Sequence, residues 1–182
     1  MGGHRQAFGL ETKYCAFGDG LALSDCVIEG YASLFGAVDQ GGDVVQRGAY
    51  DGSLRRIARG GRRVKMLWQH DPTRPIGVWD EVREDEKGLY VRGRVLSEVQ
   101  NGREALALLE AGAIDGLSIG YRTLRSEKAA AGRSLLEIDL WEVSVVTFPM
   151  LPEARVQTGE DAVSDIARDL AEAFAAAREQ MT

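Results

Sequence analysis

The sequence predicts an α+β, barrel-like domain, with a β-rich core and a few helices around it. Three observations carry this. Short stretches rich in β-branched and aromatic residues recur along the chain and are separated by turn-forming residues. Apolar residues at helical spacing occur in only a few places. The regular alternation of strand and helix that marks a parallel α/β sheet is missing.

The elements follow in chain order. Residues 1–10 are Gly-rich and polar and are expected to be disordered. Residues 27–35 alternate loosely and read as a strand, and 37–48 read as a loop with Gly41-Gly42 between Asp39 and Asp43. A short helix is expected over 49–59, with Leu54 and Ile57 inward and a solvated face of Arg55, Arg56 and Arg59, followed by Arg62 and Arg63. Residues 64–70 read as a strand with Val64, Met66, Trp68 and His70 on one face. Strands over 76–83 and 88–96 flank a hairpin turn at 85–88. A helix over 101–111 has Asn101 as cap, Glu104 completing a capping box, and Gly112 as its stop. Residues 117–122 and 135–148 read as strands separated by an Ala-Gly loop at 129–132. After a polar connector at 157–160, Val163, Ile166, Leu170 and Phe174 recur at helical spacing, giving an amphipathic C-terminal helix.

The totals exclude several function classes. The chain has 182 residues, 45% hydrophobic and 27% charged, which suits one globular domain. A net charge of −6 argues against nucleic acid as the main partner, because phosphate binding needs concentrated Lys and Arg. No apolar run approaches the roughly 18 residues of a membrane span. No signal-like apolar core lies near Met1, so the chain reads as cytoplasmic. Two cysteines, Cys15 and Cys26, are expected to be unpaired thiols in a reducing compartment. No Cys/His cluster has zinc spacing, and Asp39 and Asp43 lack the further acidic residue of a calcium loop. No metal or cofactor is therefore expected.

Gly116-Leu-Ser118-Ile-Gly120 matches Gly-x-Ser-x-Gly, a pattern in which small residues flank a serine nucleophile. The α/β-hydrolase order of Ser, acid, His fails, because no histidine follows Ser118. A serine nucleophile needs a base, and only His4 and His70 exist. His4 falls in the tail, whereas His70 ends an expected strand and titrates in the range useful for moving protons both ways. Glu142 leads for the role of orienting His70, because it interrupts the apolar run 140–146, where a carboxylate is costly without a partner. Asp139, Asp71 and Asp115 are alternatives, although Asp71 would point away from His70 in a regular strand. Each residue also has a structural reading. Ser118 can be a small strand residue, His70 a turn residue before Asp71-Pro72, and Glu142 a bridge to an arginine.

Five segments in order resemble the prohead proteases of HK97-like tailed phages and related gene transfer particles. They are Gly-Tyr-Ala-Ser-Leu-Phe at 30–35, the stretch from Asp39 to Gly-Ala-Tyr at 48–50, and Leu-Trp-Gln-His-Asp at 67–71. Gly-Leu-Ser-Ile-Gly-Tyr at 116–121 and Leu-Trp-Glu-Val-Ser-Val-Val-Thr-Phe-Pro at 140–149 complete the set. The resemblance runs from 27 to about 156. It implies a fold similar to herpesvirus assemblins, a small β-barrel surrounded by helices. It implies a serine endopeptidase with His70 as catalytic histidine and Ser118 as nucleophile, and places Glu142 where the family carries an acidic residue. Oxyanion donors are expected among backbone amides of 149–155. The implied substrate is the scaffolding region of the major capsid protein, cut inside assembling proheads, and self-association is left open. Residues 11–156 are then the protease domain and 157–182 a connector and helix, with the stripe at 163–174 docking either on the scaffolding region or on its own domain. The rival functions are a non-catalytic capsid assembly factor that keeps the protease fold, and a general small-ester hydrolase.

Overall fold

Alternation along the strands decides which side chains form the core. Within Gly88–Val95, Leu89, Val91, Gly93 and Val95 are buried, while Arg92 and Arg94 lie outside and pair with Glu29 and Asp80. Within Val27–Leu34, Ile28, Gly30 and Ala32 are buried in the same rhythm. Each fully buried Leu, Ile or Val side chain contributes about 1.5–3 kcal/mol relative to exposure. Such residues from every long strand converge on one cluster, with Leu117, Leu135, Ile138, Leu140, Val143 and Val145 at its centre.

The computed structural model describes residues 26–60, 62–129 and 132–156. In chain order the elements are β1 (Val27–Leu34), β2 (Val44–Val45), α1 (Asp51–Gly60), β3 (Lys65–Trp68), β4 (Asp71–Glu84), β5 (Gly88–Val95), α2 (Gln100–Glu110), β6 (Gly116–Lys128) and β7 (Arg133–Val146). The mixed sheet runs β1-β5-β4-β3-β7-β2, with β6 on the other edge of β7. β3 and β2 both join β7 in parallel; the remaining pairs are antiparallel. Bulges at 79/81, 120/121, 123/125 and 125/126 bend the sheet, as an extra unpaired residue does.

The curled sheet is closed by three residues. Leu117 N–H donates to Ala154 O at 2.7 Å and Val156 N–H to Asp115 O at 2.7 Å, which ties 154–156 to the start of β6. The same segment bridges to β1 at Gly30. Gly30 fits there because a Cβ would run into Arg155 O. Closure satisfies two strand edges that would otherwise be exposed.

The α+β barrel-like expectation therefore holds, and several boundaries move. β4 and β6 extend beyond 76–83 and 117–122, and the expected loop 37–48 contains the short strand β2. α1 packs Leu54 and Ile57 against the core as expected. Its arginines, and Arg62 and Arg63 after it, are exposed as expected, and two of them also reach a carboxylate on β7. Arg62 donates to Asp139 at 3.0 Å and to Leu140 O at 3.1 Å, and Arg56 lies 3.6 Å from Asp139. Gly112, at φ +65°, ends α2 as expected. Asn101 does not cap that helix. Its side chain accepts from Arg74 at 2.8 Å, the helix begins after Val99 without a side-chain cap, and Glu104 accepts from Gln100. Cys26 is buried and disulfide-bonded, which corrects the expectation of a free thiol there. The expected tail 1–10 and the segment 157–182 with its helix lie outside the described residues. Among the described residues no helix is long and apolar enough to cross a membrane.

Candidate active site

Strand β7 sits between the two strands that carry the expected nucleophile and base. On one edge β6 pairs Ser118 with Ser144 and Gly120 with Glu142. On the other, β3 pairs Lys65 with Glu142 and Leu67 with Ser144. Residues directly opposite in an antiparallel pair point to the same face, as do residues two apart in one strand. Ser118, Glu142 and Ser144 therefore share a face, and β3 delivers the next residues of its chain to it.

Those next residues form a tight turn, where the sequence predicted a continuing strand. Trp68 pairs with Asp71, and between them Gln69 and His70 have φ of 53° and 61°. Positive φ at both central residues is the requirement of a two-residue type I′ hairpin turn. The turn removes His70 from the alternation that the sequence implied and swings its ring over β7. Two contacts hold it there. His70 N–H donates to Ser144 Oγ at 3.1 Å, and Gln69 Nε2 donates to Thr147 Oγ1 at 2.8 Å.

The ring bridges the two expected partners. His70 Nδ1 is 2.6 Å from Glu142 Oε1, and His70 Nε2 is 2.9 Å from Ser118 Oγ. A carboxylate only accepts, so Nδ1 carries the proton and Nε2 is left to accept from the Ser118 hydroxyl; the tautomer is assigned from these partners. Ser144 Oγ donates to the other Glu142 oxygen at 2.5 Å. Glu142 and Ser118 are 8% and 4% exposed, whereas the His70 side chain is 41% exposed, so the group opens to solvent on the histidine side. Chemically this is a hydroxyl next to a proton acceptor whose positive form is stabilised by a fixed carboxylate.

The alternative carboxylates are occupied elsewhere. Asp71 accepts from the backbone and hydroxyl of Thr73, and Asp115 pairs with Arg155. Asp139 takes Arg62 and Trp141 Nε1; burial raises its pKa, but Arg62, Trp141 and Arg56 together outweigh burial and hold it below the ordinary range. The Gly-x-Ser-x-Gly motif works differently from a nucleophile elbow. Ser118 lies within a strand, and a Cβ on Gly120 would overlap the Glu142 carboxylate, 2.6 Å from its carbon. The second glycine makes room for the acid. Ser144 was not singled out from sequence, although its spacing of two from Glu142 in Trp-Glu-Val-Ser was the available signal.

Residues 19–169 match the family described as caudovirus prohead serine protease. The chain belongs to that family. The prohead protease of Enterobacteria phage HK97 is 35% identical over 150 residues, 80% of this chain and 64% of that protein. The capsid polyprotein of Pseudomonas phage PAJU2 is 30% identical over 101 residues, 51% of this chain and 15% of that protein. The match thus spans less than two thirds of each of these two relatives. In fold, the chain is similar to the bacteriophage T4 capsid assembly protease, with a TM-score of 0.56 at 16% identity over 66% of this chain and 80% of that one. KSHV protease is similar at a TM-score of 0.41 and 12% identity over 68% of this chain and 60% of that one. The prohead-protease match includes His70, Ser118, Glu142 and Ser144.

Proposed function

We propose that this chain is a serine endopeptidase that cleaves the scaffolding region of the major capsid protein inside assembling proheads. The observation that carries the reading is the continuous Glu142–His70–Ser118 chain of contacts at 2.6 and 2.9 Å. Ser118 Oγ attacks the peptide carbonyl while His70 Nε2 takes its proton, and Glu142 stabilises the charged ring. His70 then returns the proton to the leaving amine, and water releases the acyl-enzyme. Backbone amides stabilise the oxyanion. In the window 149–155, Pro149 and Pro152 have no N–H and Ala154 N–H is committed to Leu151 O at 2.9 Å, which leaves Met150, Leu151, Glu153 and Arg155 as candidates. Family membership supports the reaction class. The similarity to a capsid polyprotein supports a capsid protein as substrate.

Co-expression with the capsid protein, followed by mass spectrometry of the products, tests this. Ser118→Ala and His70→Ala should each lower cleavage by on the order of 10⁶-fold, with little further loss in the double variant, because the two act as a unit. Glu142→Gln should lower it by on the order of 10⁴-fold, and Asp71→Asn by far less. Full processing by a folded Ser118→Ala chain would reject Ser118 as nucleophile, and an intact capsid protein beside the unmodified chain would favour the non-catalytic assembly factor.

A further inference from the structure

The face formed by α1 and the residues just after it runs against the charge of the chain, which is −6 overall. Between 51 and 65, Arg55, Arg56, Arg59, Arg62, Arg63 and Lys65 are all exposed, and the one acidic residue is Asp51. Asp139 is shared by Arg62 at 3.0 Å and Arg56 at 3.6 Å, and Glu137 lies 3.7 Å from Arg56. Arg55 lies 3.9 Å from Asp51, an exposed pair of little strength. Arg59 and Arg63 form no ion pair among the described residues. Asp80 feels the field of Arg63 but is already held by Arg94 at 2.8 and 2.9 Å. Six cations therefore face Asp51, Glu137 and Asp139, and the surplus is open to solvent. Arg55 and Arg59 sit about 6 Å apart along α1, and Arg62 and Arg63 lie just beyond its end.

The chain also holds a segment with the opposite pattern. In 157–182, which lie outside the described residues, Asp161, Asp165, Asp169 and Glu172 recur at steps of four, four and three. On a helix that spacing puts the four carboxylates on one face, about 6 Å apart. Val163, Ile166, Leu170 and Phe174 fall on the opposite face.

We propose that α1 with Arg62 and Arg63 is the docking face for this acidic stripe of the chain's own C-terminal segment. Carboxylates and guanidiniums then meet at a common pitch, and the apolar stripe is turned away from the domain. Each exposed pair contributes only about 0.2–1 kcal/mol, so several must act together. The tether favours this occupant, because a joined segment meets its site at a millimolar-range effective concentration that an acidic segment of another molecule must match. The linker is long enough. Val156 is fixed beside Asp115 and Gly30. The row of Gly120, Glu142 and Lys65, close in sequence to Arg62 and Arg63, lies four residues along β6 from Gly116 and two strand spacings across, about 17 Å away. Residues 157–160 span about 14 Å when extended, and a helix over 161–172 adds about 18 Å.

Hydrogen–deuterium exchange of the full chain, read by mass spectrometry, tests this. At low salt the amides of 161–172 should exchange about tenfold more slowly in the unmodified chain than in Arg59→Glu/Arg63→Glu. Adding Asp165→Arg and Asp169→Arg to that variant should restore the protection. In the unmodified chain, about 1 M salt should remove most of it, since screening then acts within about 3 Å. Docking through the apolar stripe would instead persist in salt. Absence of protection in the unmodified chain overturns the proposal. So does protection that survives either the two charge reversals or high salt. Protection that rises with protein concentration gives the face to the C-terminal segment of a second copy and overturns docking within one chain.

Discussion

Gly120 contributes by what it lacks. A Cβ there would overlap Glu142 Oε1, the oxygen that meets His70 Nδ1. Gly120→Ala should therefore lower activity about as far as Glu142→Gln and lower the melting temperature as well, since a methyl forced against a buried carboxylate costs about 1–3 kcal/mol. Glu142→Gln at similar size should melt nearly as the parent does. Capsid-protein cleavage and thermal melting, measured together, separate the two effects. The members of the candidate site were legible at this scale because histidine is scarce and because a carboxylate stands out in the run 140–146. The reason for the second glycine was not. It depends on a cross-strand pairing, Gly120 with Glu142, that no local pattern records.

Elements were legible where periodicity runs long and illegible where two residues set the geometry. β1 and β5 alternate over many positions, β7 carries a long apolar run, and all three fell close to where expected. The turn at Gln69–His70 did not, because type I′ turns are usually announced by Asn-Gly or Asp-Gly, and neither residue here carries that signal. Tertiary contacts from Ser144 and Thr147 hold the backbone in a region that non-glycine residues rarely adopt. The arginines at 55–63 are exposed as expected, but the reach of Arg56 and Arg62 to Asp139 was not legible, since that partner lies on β7, far away in sequence. Arg62 both pairs with buried Asp139 and lies over the Trp141 ring at 5.4 Å. Arg62→Ala should thus destabilise by about 1–3 kcal/mol, the cost of removing a partner from a largely buried charged group. Arg59→Ala, in the same cluster and exposed, should change stability by less than about 0.5 kcal/mol. Equal effects in urea denaturation would show that the contact of Arg62 with Asp139 adds nothing to stability.

For the molecule as a whole, the barrel depends on the segment 154–156. Its contribution escaped the sequence reading because three residues carry no period, and their partners, 30 and 115–117, lie far upstream. A chain ended after Thr158 keeps this segment and should fold and unfold cooperatively. A chain ended after Glu153 leaves β1 and the start of β6 without their shared neighbour and should lose cooperative unfolding. If both truncations melt alike, closure by 154–156 is dispensable.

The central position of β7 also sets a timetable. A ribosome makes His70 and Ser118 well before Glu142, and until β7 emerges nothing lies between β3 and β6 to bring them into register. At about 5–20 residues per second, the nascent chain spends on the order of seconds with its serine already made and still inert. On the proposed reading of Ser118 as nucleophile, the order of synthesis alone keeps the site incomplete until β7 has been made.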